Sequence, residues 1–169
     1  MIYLNLLNKD EQIALNNLKN SFCWTTQQLD YLIACMKFES NLNPKAVNKL
    51  SHAVGLIQFM PTTCKSLGIT PEEMLALDFC KQLNFVKSYF KPYFRKVKTL
   101  NDMYMAILMP KYIGAEDDVN IFSKTIQYKQ NIGLDLNKDR IITKSEACRR
   151  VQHIYNEGLN KINTFLINP

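Results

Sequence analysis

The stretch Phe38-Glu39-Ser40-Asn41-Leu42-Asn43-Pro44 places an acidic residue at the end of a predicted helix. Apolar residues upstream recur at the helical period of 3.6, which predicts one buried face: Leu29, Leu32, Ile33 and Met36. Glu39 follows Met36 by one helical turn and continues this apolar stripe. A residue that precedes a proline is disfavoured in the helical conformation, so the helix is expected to end near Asn41–Asn43.

Glu39 is therefore a candidate general acid. It lies at the negative end of the helix dipole, and partial burial also disfavours the charged carboxylate. Both effects raise the pKa, and a carboxyl that stays protonated near neutral pH can donate a proton in catalysis. The alternative is a surface glutamate that faces inward only on a helical wheel.

A second segment, Gly55-Leu56-Ile57-Gln58-Phe59-Met60-Pro61-Thr62-Thr63, follows at short distance. Together with Glu39-Ser40 and Asn43-Pro44-Lys45-Ala46-Val47, it resembles the signature of SLT-type lytic transglycosylases, lysozyme-like enzymes that cut peptidoglycan strands. The resemblance implies that Glu39 is the catalytic acid/base. It also implies a mainly α, lysozyme-like single domain over residues 1–169, with β structure limited to a short hairpin between Ser40 and Gly55.

Later segments are similar to the phage-borne branch of that family. These are Tyr89-Phe90-Lys91-Pro92-Tyr93, Leu100-x-Asp102-x-Tyr104-Met105-Ala106 and Leu134-Asp135-x-Asn137-x-Asp139. An endolysin or a tail-associated lysin is the implied type of protein.

The resemblance also implies a set of substrate contacts: Ser40, Ser51, Gln58, Phe59, Met60, Tyr104 and Tyr112. Gln58 is the only amide in an apolar run, where an unsatisfied amide would cost about 1–3 kcal/mol. It either binds the substrate or orients Glu39, or it caps a backbone turn. Cellular members carry an Ala-Tyr-Asn-Ala-Gly motif that is absent here, and Tyr104 is its nearest equivalent.

The segment Asp135-x-Asn137-x-Asp139-x-Ile141-Ile142-Thr143-x-x-Glu146 is EF-hand-like, spanning residues 135–146. Its oxygen ligands fall at the spacing of a calcium loop, with the Ile141 carbonyl as a further ligand. Arg140 occupies the position where glycine normally supplies a positive φ, at a cost of about 1 kcal/mol or more. The predicted role is a structural Ca²⁺ clip held by Asp135, Asn137, Asp139, Ile141 and Glu146. The alternative is that Thr143-x-x-Glu146 is simply the capping box of the following helix.

The composition sets broad limits on partners and compartment. A net charge of +6 favours polyanionic partners, and the dispersed basic residues form no nucleic-acid-binding arm. The odd number of cysteines, five without a CxxC motif, predicts free thiols from a reducing cytoplasm. Neither a secretory signal nor a membrane span is predicted. A monomer made in the cytoplasm would therefore reach the periplasmic wall by holin-type release or as part of a virion.

The predicted activity is cleavage of the β-1,4 bond between N-acetylmuramic acid and N-acetylglucosamine, leaving 1,6-anhydro ends. Glu39 would carry out this reaction without a catalytic cofactor or a second carboxylate. A hydrolytic muramidase would need such a second carboxylate. The candidates for it are Asp102 and the Glu116-Asp117-Asp118 cluster. That cluster is otherwise expected to be a solvated helix N-terminus. The remaining alternatives are a non-catalytic glycan-binding virion component and a calcium-dependent interaction protein.

Overall fold

A buried helix, α2 (Thr26–Ser40), is the element against which much of the chain packs. The computed structural model describes residues 1–123 and 125–167, of which 162–167 are described by backbone alone. Helix α2 packs against α6 (Leu100–Leu108) and α8 (Lys144–Ile167). Its apolar stripe is fully enclosed, as the 3.6-residue period predicts.

The chain is mainly helical, as predicted, and its other helices are short. In chain order these are α1 (Lys9–Ser21), α3 (Pro61–Ser66), α4 (Pro71–Ala76), α5 (Phe79–Phe90) and α7 (Ile126–Gln130). Short 3-10 turns occur at Leu4–Leu6, Pro110–Tyr112 and Ile132–Leu134.

Local capping signals set several helix starts. Thr25 and Gln28 form the capping box that opens α2, and Thr99 and Asp102 form the one that opens α6. Each box satisfies two backbone N–H groups that have no partner inside the helix.

The β structure is not where it was expected. The strands β1 (Asn120–Ser123) and β2 (Ile141–Thr143) form an antiparallel pair far from Ser40. Between Ser40 and Gly55 the described chain contains only an isolated bridge, Val47 to Val54. The limit placed on the β structure is therefore wrong, although Val47 and Val54 do form an antiparallel bridge in the expected region. The β1–β2 pair forms elsewhere because Ile121 and Ile142 are buried there.

A buried ion pair joins the start of α6 to the start of α8. The Lys144 ammonium lies 3.1 Å from Asp102 Oδ1, and the two side chains are 3% and 5% exposed. Lys144 also donates to the carbonyl of Ala115, and Asp102 accepts from the Gly114 N–H. These bonds fix the segment that leads from α6 to β1.

The acidic cluster in that segment corrects another expectation. Residues 116–118 form a turn before β1 instead of a helix N-terminus. Asp117 there lies 4.0 Å from the Lys144 ammonium, so the cluster contributes to the charge balance of the buried pair.

Trp24 and the cysteines take structural positions. The Trp24 indole is buried against Phe22 and Phe90 and donates to the Phe94 carbonyl, as expected for a core residue. All five cysteines are free thiols, which agrees with the prediction from their number and spacing.

Among the described residues, the helices are all too short or too polar to cross a membrane.

Candidate active site

Glu39 lies in the last turn of α2, immediately before the helix ends. Asn41 and Leu42 both take positive φ values, 56° and 62°, and their N–H groups bond to carbonyls of the final turn. The chain thereby leaves the helix axis directly after Ser40. This termination leaves the Glu39 carboxyl at the edge of the core, beside the carbonyl end of the helix.

Burial raises the pKa of Glu39 from its ordinary value of 4.5 to about 7. In the described part of the chain, no donor forms a hydrogen bond with the carboxyl group and no cation pairs with it. Desolvation thus disfavours the charged form of Glu39, and no partner stabilises that charge within the described chain. Near neutral pH a substantial fraction of Glu39 carries a transferable proton.

Glu39 opens onto a groove of about 500 Å³. The groove is lined by apolar side chains and by four amides, a mixture that fits N-acetylated sugars with their apolar ring faces and amide groups. Its lining residues are Glu39, Asn48, Leu50, Ser51, Ala53, Ile57, Gln58, Met60, Ile107, Leu108, Gln130 and Asn131. Within the described residues, Glu39 is the only acidic side chain of this lining.

A tight turn at Gly55–Gln58 forms the floor of the groove beside Glu39. Val54 and Phe59 exchange backbone hydrogen bonds across it, and Gly55 has a φ of 75°. A Cβ on Gly55 would lie 2.5 Å from the Oε1 atom of Gln82, so the close approach itself requires glycine.

Gln82, a fully buried residue of α5, holds that turn in place. Its Oε1 accepts the Leu56 N–H, and its Nε2 donates to the carbonyls of Pro44 and Met74. Gln82 was not predicted from the sequence to be a site residue, although a glutamine among the apolar residues Phe79, Leu83 and Val86 indicates a buried amide with a specific partner. Gln82 acts on the site by positioning the turn.

The sequence profile of the Transglycosylase SLT domain matches residues 24–108 of the chain. The chain belongs to the Transglycosylase SLT domain family. Parallel searches of curated proteins and of solved structures found no match. Membership supports a glycosidase-type enzyme that degrades peptidoglycan in the manner of lytic transglycosylases.

The SLT match begins at Trp24 and ends with the last residue of α6. It therefore contains Glu39, the Gly55–Gln58 turn and Gln82. Two groove residues, Gln130 and Asn131, come from the segment that follows the SLT region. No motif in the sequence marked them, because their place in the groove depends on how α7 folds back over the SLT region.

Gln58 caps the turn, which was one of the roles its sequence position suggested, and it also lines the groove. Its Nε2 donates to the carbonyl of Gly55 at 3.1 Å and to that of Ala46 at 3.5 Å, so the amide caps the turn. Its Oε1 has no donor in the described part of the chain, and the residue lines the groove of the SLT domain. That oxygen is available to a substrate N–H or O–H group.

Gln58→Ala is expected to lower activity per folded molecule about twofold to tenfold, because one neutral hydrogen bond contributes about 0.5–1.5 kcal/mol. Gln12→Ala is the matched control, since Gln12 also donates to two backbone carbonyls, those of Leu4 and Leu7, but lies outside the groove lining. Both variants should lose similar stability, whereas only Gln58→Ala should lose activity. Unchanged specific activity of Gln58→Ala would leave Gln58 as a turn cap alone.

Ser51 and Met60 line the groove as predicted, but Ser40 and Phe59 do not. The Ser40 hydroxyl is buried and lies 2.9 Å from the carbonyls of both Met36 and Leu56. Phe59 is 2% exposed and packs in the core. The expectation of direct substrate contact is corrected for these two residues, which instead tie the turn to α2 and to the core.

Tyr104 and Tyr112 lie elsewhere than on the groove surface. Tyr104 is buried on α6 with its ring edge-on to Phe38, at 5.6 Å between centroids. Burial raises the pKa of Tyr104 well above its ordinary range, and the nearby Glu39 carboxylate adds to the effect. Tyr104 therefore stays a neutral hydroxyl in the layer beneath Glu39, while Tyr112 lines a neighbouring cavity.

The predicted calcium loop contains two non-glycine residues with positive φ, Lys138 and Arg140. Arg140 has a φ of 71°, the conformation for which glycine is normally required. Asp135 accepts the N–H groups of Lys138 and Arg140 and the hydroxyl of Tyr128. Glu146 accepts the Thr143 N–H, so the capping box also forms.

These side chains accept hydrogen bonds from the backbone of their own loop and do not converge on a common point. Asp139 accepts the Ile141 N–H and the side-chain amide of Asn137. Among the described residues, no group of three or more His, Cys, Asp or Glu side chains is arranged to hold a metal. As they are placed, the loop oxygens do not fit a Ca²⁺ ion.

Proposed function

We propose that this SLT domain is a lytic transglycosylase that cleaves the β-1,4 bond between N-acetylmuramic acid and N-acetylglucosamine. The observation that carries the proposal is a groove whose described lining holds one acidic residue, Glu39, with a pKa of about 7. One such group is sufficient for the transglycosylase reaction, because no water has to be activated by a second carboxylate.

In the proposed reaction, Glu39 first donates its proton to the glycosidic oxygen as the bond to the muramoyl C1 breaks. The resulting carboxylate then removes the proton of the C6 hydroxyl of the same muramoyl residue. The C6 oxygen closes on C1, which gives a 1,6-anhydro ring and restores protonated Glu39. Buried apolar surroundings favour this neutral resting state.

The amides of the groove would bind the N-acetyl groups of the strand. Gln58 and Gln130 are the best placed, since Gln58 Oε1 and the whole Gln130 amide form no hydrogen bond within the described chain. Leu50, 94% exposed at the rim, and Met60 would cover the apolar faces of the sugar rings.

Mass spectrometry of fragments released from purified sacculi tests the proposal. Anhydro-muramoyl ends are the expected product. Reducing ends would identify a hydrolytic muramidase, whose second carboxylate would then have to come from outside the described groove lining. Release of no fragments would identify a non-catalytic glycan-binding protein and overturn the proposal.

The pH dependence of the reaction follows from the raised pKa of Glu39. The proton donor is lost as the pH rises through about 7, so kcat/KM should fall about tenfold for each further pH unit. Soluble glycan strands should be used from about pH 5 to about pH 9, with circular dichroism at each pH to confirm that the fold persists. Constant activity up to about pH 9 would contradict Glu39 as the acid.

Two further predictions accompany this function. A phage-borne protein, released through a holin or carried on a virion, agrees with the resemblance of the later segments. Calcium binding at residues 135–146 stays a prediction and would require the loop carboxylates to move together, since they form no metal-binding cluster where the described chain places them.

Calcium binding to the folded loop would stabilise the protein by about 2.7 kcal/mol at a hundredfold excess over Kd. Thermal unfolding in excess calcium and in chelator measures this difference, and Asp135→Ala should abolish it. Arg140→Gly is expected to enlarge it, because Arg140 has a positive φ and adds a positive charge. Equal melting temperatures in calcium and in chelator would leave the loop as a series of local caps.

A further inference from the structure

A second cavity, of about 310 Å³, adjoins the proposed catalytic groove. Leu108 lines the groove and its neighbour Met109 lines the second cavity. On α7, Gln130 lines the groove and Gln127 the second cavity. Since residues three apart lie on the same side of a helix, the two cavities run side by side along α7.

The lining of the second cavity comes entirely from residues that follow the SLT match. It includes all four residues of β1, which is informative because successive side chains of a strand point to opposite faces. A cavity that touches four consecutive residues therefore runs along the edge of the strand. In the described chain, β1 pairs with β2 alone, so its other edge offers free backbone N–H and C=O groups.

Lys111 is the only charged side chain among the described residues that line this cavity. Its ammonium lies 4.8 Å from the centroid of the Tyr112 ring and forms no ion pair within the described chain. The side chains of Asn120, Ser123 and Gln127 likewise form no hydrogen bond there. The cavity thus combines one cation, free polar groups and an open strand edge.

We infer that the second cavity binds the peptide substituent of the glycan strand and that Lys111 pairs with a carboxylate of that peptide. This inference rests on the proposed function. In a peptide-bearing strand the lactyl carboxyl of N-acetylmuramic acid is bonded to the peptide as an amide, so the free carboxylates of that strand belong to its peptides. An extended peptide can add to a free strand edge through its amides, while the cation selects the carboxylate.

The test compares kcat/KM on peptide-bearing strands with kcat/KM on strands whose peptides an amidase has removed and whose lactyl carboxylates, freed by that cleavage, have been converted to methylamides. Wild-type protein is expected to prefer the peptide-bearing strands, and Lys111→Gln should lower that preference about threefold to tenfold. Lys91→Gln is the matched control, since it removes the same charge from an exposed position outside both cavities. Its preference should equal that of the wild type.

An equal preference in wild-type and Lys111→Gln protein overturns the inference. An equal loss in Lys91→Gln and Lys111→Gln also overturns it, because the effect would then be general attraction between a basic protein and an acidic wall. Failure of the proposed function has a different result, since wild-type protein would then release either no fragments or fragments with reducing ends from both kinds of strand.

Discussion

Glu39→Gln is expected to lower kcat/KM on peptidoglycan by about 10²–10⁴-fold, the usual loss when a general acid is removed. The amide keeps the shape of the carboxyl and its place at the end of α2, but it has no proton to transfer to the glycosidic oxygen. Binding of glycan strands should change little, because the amides and apolar residues of the groove remain. Rates on soluble strands and a binding isotherm of the variant measure the two effects separately.

A stability measurement serves as the control for this variant. Burial raises the pKa of Glu39 from 4.5 to about 7, so the folded state binds the proton more tightly than the unfolded state does. The contribution of Glu39 to wild-type stability should therefore be fully present below about pH 4.5 and be lost as the pH rises through about 7. A tenfold difference in proton affinity corresponds to about 1.4 kcal/mol, so above that range Glu39→Gln should be more stable than wild type by up to about 3 kcal/mol.

An inactive but more stable variant would separate chemistry from folding. Retention of more than about a tenth of the wild-type activity would refute the role of Glu39, since a general acid contributes at least about a hundredfold. Lower stability of Glu39→Gln above pH 7 would show that the carboxylate has a stabilising partner, contrary to its observed surroundings.

Lys144→Met should destabilise the protein by about 3–5 kcal/mol, because it leaves the Asp102 carboxylate buried without its cation. Burial acts to raise the pKa of Asp102, but the Gly114 N–H and the Lys144 ammonium together lower it below its ordinary value. The backbone donors at Gly114, Lys98 and Thr99 remain in the variant and favour the lower end of this range. Urea unfolding measures the loss, and the melting temperature should fall by about 6–12 °C.

Lys81→Met is the matched control for Lys144→Met. Lys81 pairs with Asp78 at 3.4 Å, but the two side chains are 68% and 58% exposed. Water screens such a pair, so its loss should cost less than about 1 kcal/mol. Equal losses in the two variants would show that burial does not strengthen the dependence on Lys144.

The structure also explains why Lys144 matters beyond stability. The ammonium donates to the Ala115 carbonyl, within the segment that connects α6 to β1. That segment carries Tyr112, and the chain beyond it carries Gln130 at the groove. The buried pair therefore holds the part of the chain that follows the SLT match against α6.

Short-range signals in the sequence were sufficient for the helix that carries Glu39. The apolar period predicted the buried face of α2 and Asn43-Pro44 predicted where it ends, while the capping box of Thr25 and Gln28 is the local signal at its start. They also predicted the raised pKa of Glu39, because helix end and partial burial are both properties of its local position. Capping and periodicity act over three or four residues, so a single sequence displays them directly.

Only the tertiary structure decided which side chains reach the groove. Ser40 and Phe59 both lie within the matching motif, yet neither reaches the groove. The Ser40 hydroxyl donates to the Leu56 carbonyl, sixteen positions away along the chain, and Phe59 is enclosed in the core. No motif position marked Gln130 or Lys144. Gln130 reaches the groove, and Lys144 reaches Asp102, over long separations along the chain. By itself the sequence determined helix α2 and the position of Glu39, the proposed acid, near its end. The walls of the groove and the buried ion pair depend on contacts between distant segments, which local propensities do not encode.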